Sequence, residues 1–309
     1  FARAADLAAD TLYVIGGLYG NPRALDAIDR LAAAEPVAPT RVFNGDFHWF
    51  DAEPALFDEV QQRVLAHTAL RGNVETELSS DDDAAGCGCA YPESVPDADV
   101  ARSNTILAQL REVARSVMGA RRRLAALPMH AVAQVGALRI GLVHGDAWSL
   151  AGWRFAHDAL HGADDLARLK LAAAFEQGAV DGFACSHTCA PALALLATPG
   201  GDRFVINNGA AGMANFAGST HGVITRIATR AMPRATEAQR LYGLYERGVW
   251  IDAIALPFDA AAWLQQFDRL WPAGSAAALS YRARLAQGPA FDIDAALGRA
   301  SASCATTPA

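Results

Sequence analysis

The first 71 residues alternate short apolar runs with amphipathic segments, and this alternation narrows the fold more than any other feature of the chain. TLYVI at 11–15, RVF at 41–43 and HTALR at 67–71 have the length and composition of strands. Between them, Pro22 to Ala34 and about 53–66 place apolar residues at helical spacing. A β-α-β-α-β order with short connections buries its strands beneath external helices, so a layered α/β sheet is predicted. Pro22 stands just inside the first helix, where its missing N–H had no partner to lose. The turn before it, GGLYGN, holds three glycines and implies unusual backbone angles or a ligand lying close to the main chain.

Beyond the polar stretch 79–99, a helix is predicted from about Val100 to Arg121, with Asp99 as its N-cap. The texture then changes. AVAQV, the turn Gly136-Ala137 and LRIGLV read as a hairpin, and DGFAC, ALLAT, RFVIN, GVITRIA, YGLYE and VWIDAIAL follow as strands. This half is expected to form a second sheet with few helices, of which 166–177 is the clearest. From Phe258 onward the chain reads as helical, with Trp263, Trp271 and Tyr281 packing on the body, and the tail SASCATTPA reads as disordered.

With 309 residues, 52% of them hydrophobic, a large packed core is expected. No run reaches the roughly 18 apolar residues of a membrane helix, so no membrane association is predicted. FARAADLAAD carries two acids and lacks the basic-then-apolar order of a secretory signal, so cytoplasmic residence is expected. A net charge of −7 without a basic aromatic-interleaved stripe excludes duplex nucleic acid as a partner and favours small substrates. Arg121, Arg122 and Arg123 read as helix-terminus charges, and Asp81 to Asp83 as a solvated loop. The oligomeric state is left open.

The chemical signal is a series of polar residues at strand ends. Gly45-Asp46 follows RVF, Gly72-Asn73 follows HTALR, His144-Gly145 follows IGLV, and Ser186-His187 follows GFAC. The carboxyl ends of strands in an α/β sheet face one crevice, so these side chains can converge. A carboxylate, an amide oxygen and two imidazoles suit a divalent transition metal such as Mn, Fe or Zn.

The ordered series resembles the signature of the calcineurin-like metallophosphoesterases, in which Asp-x-His, Gly-Asp, Gly-Asn, a later His and Gly-His-x-His each end a strand. GNPRALDAI and INNGAAGM add to the likeness, which spans about residues 11 to 255. The resemblance implies a four-layer α/β/β/α sandwich at 1–256, with 257–309 as a helical C-terminal extension packed on it. It also implies hydrolysis of phosphate esters by metal-activated water. On this likeness Asp46, the bridging carboxylate, together with Asn73, His144 and His187 forms the second-metal site, and Asp46, Asn73 and His144 carry catalysis. The first-metal positions are Gly17, Tyr19 and Cys189 in place of Asp, His and His.

A glycine offers no side-chain ligand, and a phenol coordinates well only once deprotonated. Three readings follow. One ion on the intact residues could serve a mononuclear hydrolase of a small phosphorylated substrate. Two ions could be held if Tyr19, His48, Cys189, Cys87 or Cys89 replaced the lost ligands. The fold could instead serve as a non-catalytic binding or scaffold module. Cys87 and Cys89 could be metal ligands, a disulfide with each other or with Cys189, or free thiols. Glu75 matches the acidic end of a Gly-Asn-His-Asp/Glu motif, but Val74 stands where the family's His would assist the leaving group, which favours phosphodiesters or good leaving groups. His157 and His161, four apart, read as ordinary helix histidines.

Overall fold

The computed structural model describes residues 1–82 and 86–299. Its strands are β1 (Leu7–Ala8), β2 (Thr11–Ile15), β3 (Thr40–Asn44), β4 (Thr68–Leu70), β5 (His130–Val135), β6 (Leu138–Val143), β7 (Gly182–Cys185), β8 (Ala192–Thr198), β9 (Gly201–Asn207), β10 (Gly222–Ala228), β11 (Arg240–Glu246) and β12 (Val249–Leu256). The helices are α1 (Pro22–Ala33), α2 (Pro54–Leu65), α3 (Asn73–Ser79), α4 (Asp97–Ser116), α5 (Ala120–Ala125), α6 (His157–His161), α7 (Asp165–Gly178), α8 (Ala260–Leu270), α9 (Ala276–Gln287) and α10 (Ile293–Ala296).

Two six-stranded sheets result, ordered β11-β12-β10-β2-β3-β4 and β1-β5-β6-β7-β9-β8. Leu12, Val14, Val42 and Leu70 of the first sheet meet Ala133, Ile140, Leu142 and Ala184 of the second in a core between the sheets. On the outer face of the first sheet, Ile28 of α1, Phe57 of α2, Leu107 of α4 and Phe267 of α8 form another core. Outside the second sheet, Phe183 and Val205 pack against Leu171 and Phe175 of α7. This layering is the four-layer α/β/β/α sandwich expected from the sequence.

The division of strands differs from the sequence reading. GVITRIA, YGLYE and VWIDAIAL do not belong to a second-half sheet. β10 pairs antiparallel with β2, Thr225 opposite Val14, and carries β12 and β11 onto the first sheet. In exchange, the short strand β1 joins the second sheet beside β5. Hydrophobic periodicity marks a strand but carries no information about its partner.

The predicted helix at 100–121 is also two helices. α4 begins at Asp97 with Pro96 as N-cap, which puts Asp99 in the first turn, and Gly119 at φ 71 separates it from α5. A left-handed residue cannot continue a right-handed helix. Arg121 in α5 donates to the Leu78 and Ser80 carbonyls at the end of α3 and pairs with Asp81. Asp83 and the tail SASCATTPA lie outside the described residues.

After β12, α8 and α9 lie on the first sheet's outer layer. Trp263 and Trp271 are 1% and 2% exposed, and the Trp271 indole N–H donates to the Phe50 carbonyl at 2.9 Å. Burying each such ring contributes about 3 kcal/mol, enough to hold the segment in place. Among the described residues no helix is long and apolar enough to cross a membrane.

Candidate metal centre

Two loops bring the first sheet's contribution together. The turn after β2 is bonded to the turn after β3 through Gly17 N to Gly45 O, Tyr19 N to Asp46 O and Gly20 N to Phe47 O. Asp46 itself has φ 51, an unfavourable angle for a residue with a side chain. Glu75 on α3 holds it there. Its carboxylate accepts from the backbone N–H groups of Asp46 at 2.8 Å, Phe47 at 3.0 Å and Gly72 at 2.8 Å. Burial, and then the charge of Asp46, raise the Glu75 pKa.

Glycine is required beside this centre. A Cβ on Gly45 would stand 2.6 Å from His144 Nδ1, and one on Gly72 would stand 2.2 Å from Asp46 Oδ1. The Gly-Asp and Gly-Asn pairs therefore reflect the close approach of three chain segments.

The second sheet supplies His144 at the end of β6 and His187 just after β7. With Asp46 they are buried, and one ligand atom from each lies within 4.8 Å of the others. His144 Nε2 is 3.0 Å from Asn73 Oδ1, 3.1 Å from His187 Nδ1 and 3.3 Å from Asp46 Oδ2. The four expected residues thus meet at one point.

Their outward-facing atoms fix what points inward. The His144 Nδ1–H donates to the Asn44 carbonyl at 2.9 Å, and the His187 Nε2–H to the Cys89 carbonyl at 3.1 Å. The Asn73 amide donates to the Cys87 carbonyl at 2.9 Å, and Val74 N donates to Asp46 Oδ1 at 3.1 Å. In the neutral tautomers these carbonyls select, Asp46 Oδ2, Asn73 Oδ1, His144 Nε2 and His187 Nδ1 turn four lone pairs on one another. Burial, the largest single influence, would lower the His144 pKa, but the charge and hydrogen bond of Asp46, the Asn44 carbonyl and Glu75 together raise it, whereas burial and then repulsion from His144 lower His187 to about 4. Asp46, despite burial, is held low by His144. The cluster attracts positive charge, and the donor set suits a divalent transition metal.

The positions suggested for extra ligands divide. His48 does not face the cluster. Its Nδ1 pairs with Asp51 at 2.5 Å and its ring stacks on Phe57 at 3.6 Å, so packing in the outer core orients it elsewhere. Tyr19 and Cys189 do reach the crevice, where the Tyr19 hydroxyl lies 2.6 Å from Cys189 Sγ. Burial, and then the neighbouring Cys189, push the Tyr19 phenol well above its ordinary pKa, and burial raises the Cys189 thiol. A Cβ on Gly17 would stand 2.9 Å from the Tyr19 ring, so the ring occupies the space an aspartate there would use.

Cys87 and Cys89 are free thiols, as are Cys185 and Cys189, while Cys304 lies outside the described residues. The loop 86–90 folds over the centre as expected, but it contributes chiefly its carbonyls. Cys89 O accepts from both His187 and the Trp153 indole N–H. His157 meets Phe291 edge-on and His161 donates to the Ala296 carbonyl, so both pack against the C-terminal segment.

A cavity of about 200 Å³ opens onto the centre. Sequence reasoning did not assign Tyr91, Trp153 or Arg284 to it, and it placed Tyr281 only in packing, yet all four line it. Their segments carry no motif, and an aromatic residue on a helix reads as core.

No protein-family model and no curated protein matches the sequence. Solved structures do. A metallophosphoesterase from Sphaerobacter thermophilus superposes with a TM-score of 0.54 at 16% identity, over 91% of this chain and 100% of that one. A hypothetical protein from Pyrococcus horikoshii gives a TM-score of 0.57 at 17% identity, over 92% and 100%. The chain has the calcineurin-like metallophosphoesterase fold.

Proposed function

We propose that this calcineurin-like fold serves a metal-dependent phosphoesterase holding one divalent ion on Asp46, Asn73, His144 and His187. The observation that carries this reading is the inward convergence of four lone pairs: Asn73, His144 and His187 commit their N–H groups outward to carbonyls, and the other oxygen of Asp46 accepts from Val74 N. When bound, the ion supplies Lewis acidity and a nucleophilic water near neutral pH. Mn, Fe and Zn all suit the donor set.

The chain's own residues do the rest. Asn44 O and Cys89 O fix the imidazole tautomers, Val74 N and Glu75 fix the Asp46 carboxylate and its turn, and Trp153 covers one side of the cavity. With Val74 in place of a histidine, no imidazole at that position can protonate a leaving group. Phosphodiesters with good leaving groups, or small phosphorylated metabolites, are therefore the substrates that fit.

The Tyr19–Cys189 contact in the altered half favours a second reading, a binding module that retains the fold without turnover. One experiment separates them. Asp46→Ala and His144→Ala should each lose metal and the hydrolysis of bis(4-nitrophenyl) phosphate while remaining folded by circular dichroism. Undiminished turnover in either variant contradicts this mechanism. Metal retained by the wild type, without hydrolysis across a panel of phosphate esters, supports the binding module.

A further inference from the structure

Among the described residues that line the cavity above Asp46, Asn73 and His187, Arg284 is the sole lysine or arginine. Its position is built. Nε donates to the Ala214 carbonyl at 2.9 Å and Nη2 to the Cys189 carbonyl at 2.6 Å, while Nη1 makes no hydrogen bond to a described residue. The helix that carries it is anchored by Leu285 in the core and by Tyr281, whose ring lies edge-on to Phe50 at 5.1 Å. A guanidinium so held loses little side-chain entropy on taking a ligand.

The carbonyl that anchors Arg284 belongs to Cys189, whose thiol is bonded to the Tyr19 hydroxyl. The guanidinium therefore adjoins the altered half of the centre. One ion there, offset by the Asp46 carboxylate, leaves a single net positive charge to meet an anionic phosphoryl group. A two-ion centre would bring more, and two-metal catalysis uses both ions to clamp that group. A fixed arginine meets the same need, because its fork matches phosphate oxygens and its charge does not titrate.

We propose that Arg284 is a cationic clamp for the phosphoryl group, supplying from the C-terminal helical segment the charge that the altered half of the centre no longer supplies. This inference rests on the phosphoesterase reading for its catalytic consequence, but phosphate binding tests it independently of turnover.

The test uses the full chain loaded with Mn, comparing wild type with Arg284→Gln and Arg284→Lys. Metal content, the melting temperature, the affinity for inorganic phosphate by calorimetry, and kcat and KM for bis(4-nitrophenyl) phosphate are measured. Arg284→Gln should keep its metal, bind phosphate at least about tenfold more weakly and lose kcat by about 100- to 1000-fold, as when a preorganised donor is removed from a transition state. Arg284→Lys should keep more of both, since the charge remains without the fork. Wild-type phosphate affinity in Arg284→Gln overturns the clamp, whatever the turnover. Weakened phosphate binding in a chain that hydrolyses nothing supports the clamp while removing the hydrolase. Should Arg284→Gln fail to fold, the wild type decides: phosphate should slow phenylglyoxal modification of Arg284, read by peptide mass spectrometry, and no protection overturns the proposal.

Discussion

The Tyr19 hydroxyl lies 2.6 Å from the Cys189 thiol, across 170 residues of sequence, and this contact fills the half of the centre where the chain departs from the metallophosphoesterase pattern it resembles. Both residues have left-handed backbones, at φ 53 and φ 56. Gly17 completes the substitution, because its missing Cβ leaves room for the Tyr19 ring.

Gly17→Asp alone is expected to destabilise the chain by roughly 1–2 kcal/mol from backbone strain at φ 65, with added crowding against the Tyr19 ring, and to bind no additional metal. Combined with Tyr19→His and Cys189→His, which remove the ring and restore two imidazoles, it should take up a further equivalent. Thermal unfolding and elemental analysis of both variants check this. A second equivalent in Gly17→Asp alone would contradict the claim that the ring closes that half.

Glu75 accepts from three backbone N–H groups at 3.0 Å or less, and their loss is costly because each is buried. Glu75→Ala is expected to lower stability by on the order of 4 kcal/mol in urea denaturation and to weaken metal binding. Glu75→Gln, which still offers an oxygen, should cost less. A loss under about 1 kcal/mol for the alanine variant would show that the turn holds itself.

Cys87 and Cys89 serve the centre through their carbonyls, which accept from Asn73 and His187. The double variant Cys87→Ala/Cys89→Ala should therefore retain the wild-type metal equivalent while losing a little packing energy. A fall in metal content would make the sulfurs ligands after all.

Removal of the ion should be legible in stability. A ligand bound only by the native state adds about 2.7 kcal/mol at a hundredfold excess over its Kd. The metal-loaded chain should unfold at higher temperature than the chelated one, and His144→Ala should abolish the difference. An equal shift in His144→Ala would place the stabilising ion elsewhere.

The convergence of Asp46, Asn73, His144 and His187 was legible in the sequence because each stands at a strand end and parallel strands share a crevice. That there are two sheets was legible from the change of texture along the chain, whereas their four-layer packing was expected only from the resemblance. What stayed hidden depends on partners rather than on patterns. Nothing in GVITRIA says that Thr225 sits opposite Val14. His48 looked available two residues after Asp46, yet Asp51 and Phe57 take its ring. Arg284 and Trp153 reach the cavity from segments that carry no motif, and only packing brings them there. The GCGC run drew attention for its sulfurs, whereas its carbonyls orient the ligands.

The central claim is a single ion on four inward-facing donors, and metal content per chain tests it most directly. Elemental mass spectrometry of the full chain, purified without added metal and again after loading with Mn, Fe or Zn, should give about one equivalent that is lost in Asp46→Ala. No bound metal after loading, or one equivalent that persists in Asp46→Ala, would contradict the account.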